Sequence, residues 1–96
     1  MQVKLGKFFI AGLQYSEAQM LKFYGGEYLS IQKEPDNPND PYALAIYHNE
    51  IKLGYIPKPL NQSLYDRVDE LEIVVEEYFE QAPPWERILV VVFIEE

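Results

Sequence analysis

The sequence predicts a mainly β (α+β) fold: a small six-stranded barrel with two short helices, formed by a single domain over residues 1–96. Apolar runs of strand length recur along the chain and are separated by turn-forming residues. With 96 residues, of which 48% are hydrophobic and 15% aromatic, the chain can bury one core. Short strands joined by tight turns in so small a chain favour a compact, barrel-like sheet that a helix closes.

The first half of the chain predicts two strands and one helix. Residues 3–13, VKLGKFFIAGL, are rich in apolar and aromatic side chains and predict the first strand. Ser16 is a predicted N-cap, and with Gln19 it forms a capping box for a helix of about two turns over Glu17–Tyr24. Polar and apolar residues alternate over residues 28–33, which predicts a second strand with one apolar face.

The second half predicts one helix and four more strands. Asn61 is a predicted N-cap, and Leu64, Val68 and Leu71 form an apolar stripe on a helix of about ten residues. A two-residue Asn-Glu connection predicts a tight hairpin between the third and fourth strands. The last run, ILVVVFI, is apolar on both faces, which predicts a central or covered strand. These four strands are predicted over Ala43–His48, Ile51–Ile56, Ile73–Phe79 and Arg87–Ile94.

The net charge of −8 is distributed unevenly along the chain. Residues 1–58 hold six lysines and six acidic residues, which sum to zero. Residues 59–96 hold two arginines and ten acidic residues, which sum to −8. Because phosphate contacts need lysine or arginine, this charge distribution leaves nucleic-acid binding open for the first part of the chain only.

Several kinds of chemistry are excluded by residues that are missing or isolated. No cysteine is present, which excludes disulfides and thiolate metal sites. His48 is the only histidine, and a lone histidine makes neither a catalytic triad nor a zinc site. The sequence contains no nucleophile elbow and no glycine-rich phosphate loop, and its acidic residues over 69–80 are typical of a solvated surface. We therefore predict no enzyme and no cofactor.

The ends of the chain and its apolar runs predict where the protein resides. No charged and then apolar leader opens the chain, and no apolar run approaches the roughly 20 residues that a membrane helix needs. We therefore expect a soluble, cytoplasmic protein with no membrane partner.

The most unusual stretch is EPDNPNDPYALAIY, residues 34–47, in which three prolines, two asparagines and two aspartates lie within residues 35–41. One interpretation is structural, since Asn and Asp side chains bind their own backbone and proline presets the turn. The other is functional, since a stiff loop can present Asp40 to a ligand with little loss of entropy. The residues alone leave both interpretations open.

Three ordered motifs, FFIAGLQY, EPDNPNDPYALAIY and KLGYIPKPLN, resemble those of the HIRAN domain, and the match covers residues 8–64. HIRAN domains occur in fork-remodelling helicases and as stand-alone bacterial and phage proteins, and this chain resembles the stand-alone type. The resemblance implies an OB/SH3-like barrel that binds single-stranded DNA ends at the 3′-hydroxyl, in DNA repair or replication-fork processing.

The resemblance also implies a set of binding residues. In the helicase members an Arg-Tyr pair ends the first strand and a Tyr-Asp pair lies in the loop, which correspond here to Gln14-Tyr15 and Asn39-Asp40. Tyr15 would then stack on the terminal base, and Asp40 would accept a hydrogen bond from the terminal hydroxyl. Replacing arginine and tyrosine by Gln14 and Asn39 removes phosphate-binding donors and a stacking surface, so we expect weak to moderate affinity. Nearby lysines would meet phosphate, and the full set of predicted nucleic-acid-binding residues is Gln14, Tyr15, Asn39, Asp40, Tyr42, Lys52 and Lys58.

An alternative function remains open at this point: a protein–protein interaction or self-associating module without DNA binding. The acidic second part suits a basic protein partner. If ILVVVFI lay at a sheet edge, it would favour a homodimer by strand pairing.

Overall fold

The computed structural model describes all residues from Met1 to Glu96, and its six strands form one sheet in which every pairing is antiparallel. Four short 3₁₀ turns complete the elements, at Leu13–Tyr15, Glu17–Met20, Val68–Glu70 and Pro84–Glu86. The strands are β1 (Gln2–Phe9), β2 (Tyr28–Lys33), β3 (Leu44–His48), β4 (Ile51–Tyr55), β5 (Leu71–Tyr78) and β6 (Ile88–Glu95), and the single helix is α1 (Lys58–Tyr65).

The sheet closes on itself just after β1. Its strand order is β1-β6-β5-β2-β3-β4, so β1 and β4 are the two outer strands. Ile10 N–H donates to the carbonyl of Ile88 in β6 at 3.1 Å. The next residue, Ala11, exchanges two backbone hydrogen bonds with Tyr55 of β4, at 2.9 and 2.8 Å. This seam joins the two outer strands, and the predicted mainly β barrel is confirmed.

The core fills the barrel from several strands. On β3, Leu44, Ala45 and Ile46 have no exposed surface, because β3 lies between β2 and β4. The predicted central strand is also confirmed, since β6 pairs with β1 on one side and β5 on the other. The idea that ILVVVFI forms a sheet edge open to a second copy is therefore wrong, because no free edge remains on β6.

The first predicted helix, Glu17–Tyr24, is wrong. Ser16 does cap a turn, since its Oγ accepts from Ala18 N–H at 2.9 Å, but that turn is a 3₁₀ turn ending at Met20. The chain then extends and buries Phe23, whose exposed fraction is 4%, against the core. A helix of eight residues is marginal without tertiary support, so burial of this aromatic ring decides the local conformation.

The second predicted helix exists, but it begins four residues earlier than predicted. It starts at Lys58, with a proline in its first turn, and Asn61 lies inside it rather than at its cap. Leu64, Val68 and Leu71 all pack against the core as the stripe predicts, although only Leu64 belongs to α1. Thus the chain has one α-helix, not two.

The remaining strand boundaries agree with the sequence to within a few residues. The hairpin turn after β3 is confirmed, and Asn49 adopts the left-handed conformation with φ of 57° that such a turn needs. The first strand is shorter than predicted, because the chain leaves β6 after Ile10 to reach β4. No helix is long and apolar enough to cross a membrane.

Candidate functional site

The proline-rich loop between β2 and β3 consists of three consecutive turns. In each turn the N–H of the fourth residue donates to the carbonyl of the first: Asn37 to Glu34 at 3.0 Å, Asp40 to Asn37 at 3.3 Å, and Ala43 to Asp40 at 3.1 Å. Proline is the second residue of every turn, a position for which its fixed φ is suited. The loop is therefore a three-residue repeat, Glu-Pro-Asp, Asn-Pro-Asn and Asp-Pro-Tyr.

Side chains fix these turns further. Asn37 Oδ1 accepts from Asn39 N–H, and Asp40 Oδ1 accepts from Tyr42 N–H, each at 2.9 Å and two residues along the chain. Glu34 N–H donates to the carbonyl of Ala43 at 3.0 Å and closes the base of the loop. The structural interpretation of this loop thus holds, and the loop presents its side chains with little freedom to lose.

The opposing segment, residues 11–16, holds Tyr15 outward between two anchors. Gly12 has φ of 81°, a conformation that favours glycine, and its carbonyl accepts from Tyr15 N–H at 3.0 Å. Leu13 is buried in the core, and Ser16 Oγ donates to the backbone carbonyl of Lys52 at 2.6 Å. Tyr15 itself is 87% exposed, so its ring is available to a ligand.

Between this segment and the proline-rich loop lies an open cleft of about 420 Å³, which we call the loop-side cleft. Tyr15 lies at its wall, and Tyr55 contributes a second aromatic ring. The side chains that give it hydrogen-bonding groups and a positive charge are Asn37, Asn39, Asp40 and Lys58. Lys58 makes no ion pair, and its Nζ lies 3.4 Å from the backbone carbonyl of Asn39.

A second open cleft of about 430 Å³, the hairpin-side cleft, lies on the other side of Tyr15 and Tyr55. Two carboxylates, Glu17 and Glu50, line it together with Lys52. The lysine is already neutralised, because its Nζ lies 2.6 Å from Glu34 Oε2. The hairpin-side cleft is therefore unfavourable for a phosphate, whereas the loop-side cleft has a free cation.

Tyr55 is fixed by a polar network behind its ring. Its hydroxyl donates to Glu34 Oε1 at 2.8 Å and accepts from Lys52 Nζ at 3.1 Å, while Asn37 Nδ2 donates to the same Glu34 oxygen at 3.0 Å. Burial alone would raise the pKa of Glu34, but the hydrogen bonds from Lys52, Tyr55 and Asn37 outweigh it and hold that pKa below its usual value. The hydrogen bond to Glu34 is the main cause that raises the pKa of Lys52. Both groups are therefore charged at neutral pH.

Asp40 uses only part of its hydrogen-bonding capacity inside the protein. Its Oδ1 accepts from Tyr42 N–H, and its Oδ2 accepts from Nδ2 of Asn61, a buried side chain with 3% exposure, at 2.6 Å. A carboxylate has about four acceptor sites, so about two remain. Because Asp40 is partly exposed and lines the loop-side cleft, it can still accept a hydrogen bond from a ligand.

The structure brings together four of the seven side chains that the sequence indicates, since Tyr15, Asn39, Asp40 and Lys58 line one cleft. The fifth, Lys52, lines the hairpin-side cleft and is paired with Glu34.

The other two indicated side chains line neither cleft. The side-chain Oε1 of Gln14 is buried without a hydrogen-bond partner, whereas the backbone carbonyl of Gln14 accepts from Gln19 Nε2 at 2.7 Å. Tyr42 packs its ring against Tyr65 of α1, with centroids 5.4 Å apart.

Sequence reasoning did not identify the polar network of Glu34, Asn37 and Lys52 behind Tyr55. The repeat of the loop carries a signal for Glu34 and Asn37, because each begins a turn of the same three-residue pattern. No local signal joins them to Tyr55, which is 21 residues beyond Glu34 in the chain. The LGYIP motif favours Tyr55 as a core or wall residue rather than a catalytic group, and in the structure Tyr55 lines both clefts.

These features define a class of protein: a small β-barrel binding module whose open polar cleft has an aromatic wall. The family model of the HIRAN domain matches residues 3–96, and the chain therefore belongs to the HIRAN family. HIRAN domains are nucleic-acid-binding modules.

Two solved structures share this fold. A protein from Lactobacillus plantarum has a TM-score of 0.79 and 22% identity, over 98% of this chain and 95% of that chain. The HIRAN domain of human HLTF has a TM-score of 0.76 and 21% identity, over 97% of this chain and 78% of that chain. No curated protein matches the chain significantly.

Proposed function

We propose that this protein is a non-enzymatic module that binds the 3′-hydroxyl end of single-stranded DNA in the loop-side cleft. The observation that carries the proposal is the placement of exposed Tyr15, the partly free carboxylate of Asp40 and the unpaired ammonium of Lys58 around one cleft. These three groups match the three parts of a nucleotide: base, hydroxyl and phosphate. Family membership supports nucleic acid as the class of ligand.

Each group has a distinct task in this proposal. Tyr15 stacks on the terminal base, an interaction worth about 1–3 kcal/mol. Asp40 accepts a hydrogen bond from the 3′-hydroxyl through an oxygen that keeps a free lone pair. Lys58 neutralises the last phosphodiester. The ring of Tyr55 lines the cleft and is held in place by the hydrogen bond from its hydroxyl to Glu34.

The carboxylate of Asp40 gives a physical reason for selecting an end. A terminal hydroxyl donates to the carboxylate, whereas a 3′-phosphate or an internal nucleotide would place a second negative charge against it. Like charges repel strongly at contact distance. A module of this kind would act in DNA repair or replication-fork processing, where such ends arise.

The first test is a titration of fluorescently labelled single-stranded oligonucleotides by anisotropy, with a free 3′-hydroxyl, a 3′-phosphate, or circular DNA, at fixed low salt. We expect the 3′-hydroxyl form to bind best. Tyr15→Ala should weaken binding about fivefold or more, which corresponds to at least about 1 kcal/mol of lost stacking. Tyr24→Ala is the matched control, because Tyr24 is 91% exposed and lines neither cleft.

The salt dependence of binding tests the role of Lys58. Lys58→Gln should lower the slope of log K against log salt by about 0.7 if one phosphate contact is lost. Lys4→Gln is its control, since Lys4 also has no ion pair but lies on β1, outside both clefts. Equal binding of all three oligonucleotide forms, or equal binding by Tyr15→Ala and wild type, would remove this site. If wild type bound none of the three forms, the alternative of a basic protein partner would be preferred.

A further inference from the structure

The proline-rich loop does not end at the cleft, because its last turn continues along one face of α1. Lys58, Asn61 and Tyr65 are spaced i, i+3 and i+7, so they share that face. Three successive contacts join the loop to it: Asn39 carbonyl to Lys58 Nζ at 3.4 Å, Asp40 Oδ2 to Asn61 Nδ2 at 2.6 Å, and the rings of Tyr42 and Tyr65 at 5.4 Å. The loop therefore follows α1 from the loop-side cleft to the end of the helix, and its exposed residues Asn39 and Tyr42 form a surface along that path.

An aromatic and cationic group lies at the far end of this surface. The rings of Tyr42 and Tyr65 meet edge to face at 83°, and Tyr42 remains 43% exposed. Lys33 Nζ lies 4.4 Å from the centroid of the Tyr65 ring and makes no ion pair. We call Tyr42, Tyr65 and Lys33 the outer platform.

We propose that the outer platform binds the second and third nucleotides from the end of a single-stranded polynucleotide whose terminus lies in the loop-side cleft. This inference rests on the proposed function and extends the site beyond the terminal nucleotide. Tyr42 offers a ring surface on which a base can stack, and its edge-to-face contact with Tyr65 holds that ring in place. Lys33 and Lys58 supply a free positive charge at either end of the surface.

The dimensions and charges of the surface favour this path. From Lys58 to Tyr65 the helix rises about 10 Å, since each residue adds about 1.5 Å. That length corresponds to about three stacked bases at about 3.4 Å each. On the other side of Tyr15, the hairpin-side cleft is lined by Glu17 and Glu50, whose carboxylates would repel a phosphodiester chain that followed that direction instead.

A length series of oligonucleotides tests the outer platform separately from the terminal site. The probes are DNA strands of two and eight nucleotides with free 3′-hydroxyl ends, with the two-nucleotide strand measured by competition. We expect Tyr42→Ala to weaken binding of the eight-nucleotide strand about fivefold or more and to leave the two-nucleotide strand unchanged. Tyr15→Ala should weaken both, and Tyr24→Ala should weaken neither.

Two further measurements distinguish a loss of base stacking in Tyr42→Ala from a change in the structure of the loop. Lys33→Gln keeps the aromatic pair and should lower the salt slope for the eight-nucleotide strand only, by about 0.7. A 2-aminopurine base placed third from the end should lose fluorescence on binding wild type and Tyr42→Phe, but not on binding Tyr42→Ala.

The outcomes separate the two proposals. If Tyr15→Ala impairs binding while Tyr42→Ala and Lys33→Gln bind the eight-nucleotide strand as wild type does, the outer platform is overturned and the terminal site stands. An equal loss for both lengths in Tyr42→Ala also overturns it, because the change then acts on the cleft itself. If wild type binds neither strand, both proposals fail together.

Discussion

Replacing Gly54 by alanine should break the seam that closes the barrel. A Cβ at this position would lie 2.1 Å from the carbonyl oxygen of Ala11 and 2.9 Å from Cγ2 of Ile10. Both distances are far below ordinary contact, so β4 must move away from the closing segment. The move would cost the two Ala11–Tyr55 hydrogen bonds, about 1 kcal/mol each, and overpacking of about 1–3 kcal/mol. We therefore expect Gly54→Ala to lower the free energy of unfolding by about 3–5 kcal/mol.

Urea unfolding followed by circular dichroism measures this loss, and Gly26→Ala is the control. Nothing lies within 4 Å of a Cβ at Gly26, but its φ of 91° disfavours alanine, so this variant carries backbone strain without a clash. That strain costs about 1–2 kcal/mol. If Gly54→Ala were no less stable than Gly26→Ala, the reasoning that close approach at the seam requires glycine would be refuted.

Two further predictions concern the polar contacts around the loop. Asn61→Ala should destabilise the fold by about 1.5–3 kcal/mol, because it removes a buried hydrogen bond to the charged carboxylate of Asp40. A double-mutant cycle with Asp40→Asn should show that the two changes are coupled, and additive effects would contradict this prediction. Glu34→Gln should be less stable than wild type at pH 7 by about 1 kcal/mol. Folding lowers the pKa of Glu34, so its carboxylate contributes to the free energy of unfolding at pH values above the unfolded-state pKa of about 4.3. That contribution is lost as the pH falls through the folded-state pKa. The difference between wild type and Glu34→Gln should therefore vanish below that range, and a constant difference in urea unfolding from pH 7 to pH 3 would contradict the assignment.

Much of the sheet could be predicted from local patterns. Alternation of apolar residues fixed β2 over residues 28–33, and the doubly apolar run of residues 88–94 identified the central strand β6. These predictions hold because a strand's period and its burial on both faces are direct consequences of its place in a sheet.

The errors occurred where contacts distant in sequence outweigh local preference. A capping signal at Ser16 is real, but burial of Phe23 extends the following residues before a helix can form. Asn61 has the chemistry of a helix cap, yet its amide is used inside α1 to hold Asp40, which is 21 residues away.

In the candidate site, too, some features could be predicted from the sequence, whereas others depend on contacts between residues that are distant in sequence. Tyr15 and Asp40 were indicated by resemblance to a family, and the structure places both at one cleft. The network that holds Tyr55 could not be predicted, because its members come from the loop and from β4 and meet only after the barrel closes.

Under the proposed function, the seam between Ala11 and Tyr55 couples ligand binding to closure of the barrel. Tyr15 is attached to this seam through the turn at Gly12, and the proline-rich loop is attached to it through the hydroxyl of Tyr55, which donates to Glu34. A ligand bound between Tyr15 and the proline-rich loop would bridge the two sides of the seam and its two hydrogen bonds. By linkage, a ligand that binds only the closed barrel would stabilise that closed form, and local opening of the seam would lower the affinity for the ligand.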